Sequence, residues 1–167
     1  MKLAAGFLLL VFSIGLFVNV SGTASHAAGA DSITPGPTPE TAAAKTPPYS
    51  TYRGVTVGMA QAAAREKLGE ASQRSNAGDY YAVSATESAQ ILWDKDQTVK
   101  SITVNYSGNL KMAPSTKDVV GEDIKKEADG SIYKLVRYPE SGFWVSYNRT
   151  AGDDPTVVIT LQKMAKQ

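Results

Sequence analysis

Thr98-Val99-Lys100-Ser101-Ile102-Thr103-Val104-Asn105-Tyr106 reads as a β-strand with one buried face. Ile102, Val104 and Tyr106 recur at the period of two that a pleated strand imposes, with Lys100 in phase with them nearer the turn. Ser107-Gly108-Asn109 ends the run. Upstream, Ala89 to Trp93 is a second strand, joined to the first by Asp94-Lys95-Asp96-Gln97, which has the length and polarity of a hairpin connection. Tyr80 to Val83 is a third, entered from the turn formers Asn76-Ala77-Gly78-Asp79. Before them lies a short helix, Met59 to Leu68. Met59, Ala60, Ala63, Ala64 and Leu68 form its apolar stripe, and Gly69 sits where a residue of positive φ closes the last turn.

The order then repeats. Ser115 and Asp118 have the spacing of a capping box, and Val119, Val120 and Ile124 supply the apolar side of a second helix, which Asp129-Gly130 is expected to stop. Strands follow at Ile132 to Tyr138, Phe143 to Asn148 and Thr156 to Gln162. Ile102-Thr103-Val104 and Ile159-Thr160-Leu161 occupy the same place in the two copies. A unit of roughly 55 residues buries too little apolar surface to stand alone, whereas two copies sharing a sheet overcome this. The expected fold is therefore α+β: a tandem repeat of a helix plus a three-stranded antiparallel sheet, with the helices on one face.

Outward from this domain (51–167, pseudo-repeats at about 51–110 and 111–167) the composition changes. Lys2, an apolar run from Leu3 to Val20 and the small residues Ser21 to Ala30 match a signal peptide over residues 1–30, with small-x-small cleavage points after Ala27 or Ala30. The competing reading is an uncleaved membrane anchor. Either places the domain outside the cytoplasm, secreted or held at the membrane by its N-terminus. Residues 31–50, with Pro35, Pro37, Pro39, Pro47 and Pro48, read as an extended Pro/Thr/Ala-rich linker.

The chain has 167 residues, a net charge of +1 and no cysteine. That excludes a disulfide framework, a thiolate nucleophile and zinc held by sulfur, and it removes the electrostatic case for nucleic acid. The single histidine, His26, lies in the export segment, so the domain lacks the commonest general base.

Val57-Gly58-Met59, the helix after it and Leu68-Gly69 resemble the small-helix signature of two groups of tandem α+β modules. These are the β-lactamase inhibitor proteins and the outer-membrane assembly lipoproteins of the SmpA/OmlA type. The region from Tyr52 to Met164, with Tyr80-Tyr81 in its first strand and a Val/Ile-rich last strand, is similar to the YjgB-like family of exported bacterial proteins of unknown function. Ala71 stands where a proline is frequent after the Leu-Gly glycine, and the second half lacks Leu-Gly. The resemblance implies a fold and carries no catalytic residue.

Asp94-Lys95-Asp96 lacks the glycine and glutamate of a calcium loop and reads as a hairpin turn, and Asp153-Asp154-Pro155 as a turn before a strand. Glu122, Asp123, Glu127 and Asp129 alternate with Lys125 and Lys126 as a solvated face does. No catalytic residue, metal ligand or cofactor is assigned. The aromatic residues carry the positive signal: Tyr80, Tyr81, Trp93, Phe143, Trp144 and Tyr147 are the candidate binding residues, with Phe143 and Trp144 on opposite faces. The expected function is a non-enzymatic binding or structural module of the cell envelope or extracellular space, acting on a protein or a cell-wall component. A carboxylate-based enzyme on wall polysaccharide, needing two carboxyl groups across one cleft, is the first alternative. A β-lactamase inhibitor, by analogy of fold, is the second.

Overall fold

The computed structural model describes residues 46–165. Residues 1–30, read above as a signal peptide or anchor, and 31–45, read as linker, lie outside them. The elements run α1 (Gln61–Leu68), β1 (Gln73–Arg74), β2 (Gly78–Ala82), β3 (Glu87–Trp93), β4 (Val99–Tyr106), α2 (Thr116–Val120), β5 (Ile132–Tyr138), β6 (Phe143–Arg149) and β7 (Val157–Lys163). The seven strands form one antiparallel sheet in the order β1-β2-β3-β4-β7-β6-β5. The α+β class is as expected, but the sheet is continuous and is not split into two three-stranded sheets. The last strand of each half lies in the middle, where β4 pairs with β7 from Ser101–Gln162 to Tyr106–Val157.

Alternation decides which residues form the core. The register aligns Asp79, Ile91, Ile102, Leu161, Val145 and Val136 in one row, and Tyr81, Ala89, Val104, Ile159, Tyr147 and Lys134 in the next. Every buried strand residue apart from Ser101 lies on this face. A fully buried Ile or Leu contributes about 1.5–3 kcal/mol, and Ile91, Ile102, Ile159 and Leu161 are all at 0% exposure.

Strict alternation would place Lys100 in that core. A β-bulge prevents it: Leu92 pairs with Ser101 and Trp93 with Val99, leaving Lys100 as the extra residue. Val99 is thereby buried and Lys100 is exposed.

Both helices serve the core side. Ala64 is the buried residue of α1, and Ala63 and Leu68 are half-buried. The helix starts later than expected, so Met59 is half-buried ahead of it and Ala60, expected on the stripe, is the exposed N-cap residue. Gly69 closes α1 at φ 76°. In α2, Thr116, Val119 and Val120 are buried and the helix packs on β6 and β5. The capping box is present, with Ser115 Oγ accepting from the Asp118 N–H at 3.2 Å and the Ser115 N–H donating to Asp118 Oδ2 at 3.1 Å. The Ser115 hydroxyl, donating to Asp118 Oδ2 at 2.6 Å, and then the Ser115 N–H hold the exposed Asp118 carboxyl below its ordinary pKa. The helix stops sooner than expected, at Gly121 (φ 84°) and not at Asp129-Gly130, so Ile124 is half-buried but off the helix. Two glycines compete for the stop, and the first to take the left-handed conformation ends the helix. Ser115→Ala is expected to lower stability by about 1 kcal/mol in thermal melts with no change in fold.

Candidate functional site

The helices leave the other face of the sheet uncovered. Its three rows are Tyr80-Gln90-Thr103-Thr160-Ser146-Leu135, Gly78-Leu92-Ser101-Gln162-Trp144-Arg137 and Ala82-Ser88-Asn105-Val158-Asn148-Tyr133. The middle carries hydroxyls and amides, and the flanks carry aromatic and aliphatic groups. No carboxylate lies in these rows, and Arg137 is the one charged side chain. Tyr80 is 38% exposed and Tyr133 64%. Trp144, Leu92 and Leu135 are half-buried. Beside Tyr80 the face dips into an open hollow of about 210 Å³, lined by Gln73, Arg74, Ser75, Tyr80, Gln90 and Leu92. Gly78 also lines it, at a position where a Cβ would stand 2.5 Å from the Ile91 carbonyl oxygen and so could not be accommodated without a shift of the strand pair. This is a broad platform with a shallow depression, suited to contact over area.

Of the six sequence candidates, Tyr80 and Trp144 lie on the open face. Tyr81, Trp93, Phe143 and Tyr147 are buried on the core side, where Phe143 packs against Tyr138 with ring centroids 6.0 Å apart. Phe143 and Trp144 do face opposite ways. Sequence reasoning passed over Tyr133, the most exposed tyrosine on the platform. The alternation of β5, with Ile132 inward, carried the signal for it.

The carboxylates near the sheet already have partners. Asp79, whose side chain is wholly buried, accepts two bonds from Arg65, from Nε at 2.7 Å and from Nη2 at 2.9 Å. Burial pulls its pKa up, but the Arg65 bonds and charge outweigh that and hold it below the ordinary value. The guanidinium also lies 5.6 Å from the centre of the Trp93 ring. Trp93 Nε1 is buried without a partner at hydrogen-bonding distance, though its dipole adds to the field favouring ionised Asp79. Asp94 anchors its own turn by accepting from the Asp96 and Thr98 N–H groups, and it pairs with Lys163 at 2.7 Å. The Lys163 bond, then those from Thr98, keep its carboxyl ionised far below the usual range.

Glu87 accepts from Tyr52 Oη at 2.6 Å and pairs with Arg53 at 3.3 Å. Burial, then neighbouring acidic groups, raise the pKa values of Tyr49, Tyr52 and Tyr106. These phenols stay protonated at neutral pH, and that of Tyr52 is the donor to Glu87. They fix residues 49–53 to the core side. Glu122 pairs with Lys134 at 2.9 Å, and Asp129 accepts from Ser131 Oγ at 2.7 Å. Among the described residues no group of three or more acidic or histidine side chains is placed to hold a metal ion.

No protein-family model, curated protein or solved structure matches this chain. The site therefore rests on its own geometry. Among the described residues no helix is long and apolar enough to cross a membrane.

Proposed function

We propose that the protein is an exported, non-enzymatic binding module that meets a protein or a cell-wall component through the open face of its sheet. One observation carries this: the sheet places its apolar mass on one side and leaves an almost uncharged platform, with Tyr80, Trp144 and Tyr133 on its flanks. Tyr and Trp give large contact area at little ordering entropy, and a face without carboxylates loses little on desolvation. The pairing of Asp79, Asp94 and Glu87 with basic or hydroxyl partners supports a binding role over carboxylate catalysis. The N-terminal pattern and the resemblance to the YjgB-like family favour a place outside the cytoplasm.

The same reading takes the fold as a duplication of helix plus three strands. The register of β4 and β7 supports it. When Ile102-Thr103-Val104 is matched to Ile159-Thr160-Leu161, the pair Ile102–Leu161 maps onto Val104–Ile159, and Thr103–Thr160 maps onto itself. A local two-fold axis then passes between those threonines, whose Oγ1 atoms are 3.4 Å apart.

The test is binding of the purified protein to envelope and culture-fluid fractions, beside a variant carrying Tyr80→Ala, Tyr133→Ala and Trp144→Ala. Saturable binding is expected for the parent, weakened at least ~10-fold in the variant with unchanged circular dichroism. Equal binding by a folded variant moves the site off this face.

A further inference from the structure

The two edges of the sheet differ. At one edge β1 has two residues, and one of them, the exposed Arg74, is drawn to Glu70 at 3.6 Å. Such an edge offers no template for pairing. At the other, β5 runs for seven residues in unbroken register with β6, without proline or bulge. Among the described residues, no backbone hydrogen bond outside the strand ladder reaches Ile132 to Arg137. Its outer N–H and C=O groups form a straight row of the kind that accepts another strand.

We propose that this edge pairs with β5 of a second copy, antiparallel and centred on Leu135, making one sheet across two molecules. The proposal concerns the edge and does not depend on what the open face binds. The core side of one sheet must continue as the core side of the next, so the two-fold axis passes through a residue and not between two. Leu135 is the midpoint of Ile132–Tyr138, and centring there pairs all seven residues. An axis through Lys134 or Arg137 would oppose like charges. Centred on Leu135, Arg137 instead faces Tyr133 of the second copy, a cation beside an exposed ring. Lys134 faces Val136, and Ile132 faces Tyr138. The two Lys134 side chains become diagonal neighbours, each already paired with its own Glu122. The chain makes the same kind of symmetric antiparallel joint internally, at Thr103 and Thr160.

Because the protein has no cysteine, a single introduced thiol reports the joint cleanly. Directly opposed residues in an antiparallel pair have Cα atoms roughly 4.5–5.5 Å apart, within disulfide reach. The parent is expected to approach twice the monomer mass with rising concentration in light scattering. Leu135→Cys should give a disulfide-linked dimer under mild oxidation, while Ala85→Cys, in an exposed turn, should self-associate as the parent does but form no such covalent link. Leu135→Lys, which places two ammonium groups on the axis, should be a folded monomer by circular dichroism. A parent that stays monomeric up to about 1 mM overturns the proposal. So does a dimer that Leu135→Lys leaves intact, or one that Leu135→Cys fails to lock. Capture of a foreign strand at this edge by a protein that does not self-associate overturns it equally.

Discussion

Arg65→Ala is expected to destabilise the domain by about 3–4 kcal/mol at neutral pH, and Asp79→Ala by less, roughly 2 kcal/mol. The asymmetry follows from burial. The Asp79 side chain has no exposure and the Arg65 side chain has 29%. Removing the arginine strands a carboxylate among Tyr81, Trp93 and the sheet, with Tyr81 Oη at 3.4 Å as its remaining side-chain hydrogen-bond donor. Removing the aspartate frees a guanidinium that already touches water and keeps its place against the Trp93 ring. The loss is a large share of the roughly 5–15 kcal/mol that holds a domain of this size together.

The pH dependence gives a second readout. In the parent, Asp79 has a depressed pKa, so its contribution is present above the ordinary carboxylate value and is lost as pH falls through the folded-state value. In Arg65→Ala the burial penalty stays while its main opponent is gone, so the folded-state pKa of Asp79 rises from the parent's value and less of its contribution at neutral pH remains. The stability gap between parent and variant should therefore narrow as urea titrations move from pH 7 towards pH 4. A gap that stays constant or widens on acidification would show that the ion pair is not the source of the loss.

Local signals were easy to read in the chain, and long-range ones were not. The capping box at Ser115 and Asp118 could be recognised because both partners lie within one helical turn. The strands of the second half were found within a residue of their bounds, because alternation and turn formers bracket each one. Strand β1 escaped notice because two residues carry no period. The bulge at Lys100 was invisible because it answers to the partner strand: Val99 gains burial against Trp93 when the register slips by one. The same limit applies to the candidate site. Alternation separates Phe143 from Trp144, but only the tertiary position of the helices says which face is covered. Arg65 and Asp79 belong to different elements, and no local pattern announces their pairing. The aromatic residues were chosen by type, and burial divides them: Tyr80 and Trp144 outward, Tyr81, Trp93, Phe143 and Tyr147 inward.

Ile159→Ala is expected to cost about 3–4 kcal/mol, and Ile102→Ala a similar amount. Both side chains are at 0% exposure in the two central strands, so alanine at either leaves a cavity that the continuous sheet cannot collapse to fill. Thr160→Val, one residue away on the open face, removes only a weak hydroxyl contact at 3.4 Å and should stay within about 0.5 kcal/mol of the parent. The contrast tests the assignment of faces. Comparable losses at Ile102 and Ile159 are what two matched positions about a local two-fold axis require, and a difference above about 2 kcal/mol would argue against the duplication. The joint between the halves is an ordinary strand pair buried at the middle of the core, so neither half has a surface along which to separate. Urea unfolding of each variant should remain a single transition, its midpoint lowered and its slope unchanged. Two transitions would mean that β4 and β7 part before the outer strands do, and that the sheet is continuous in geometry but not in cooperativity.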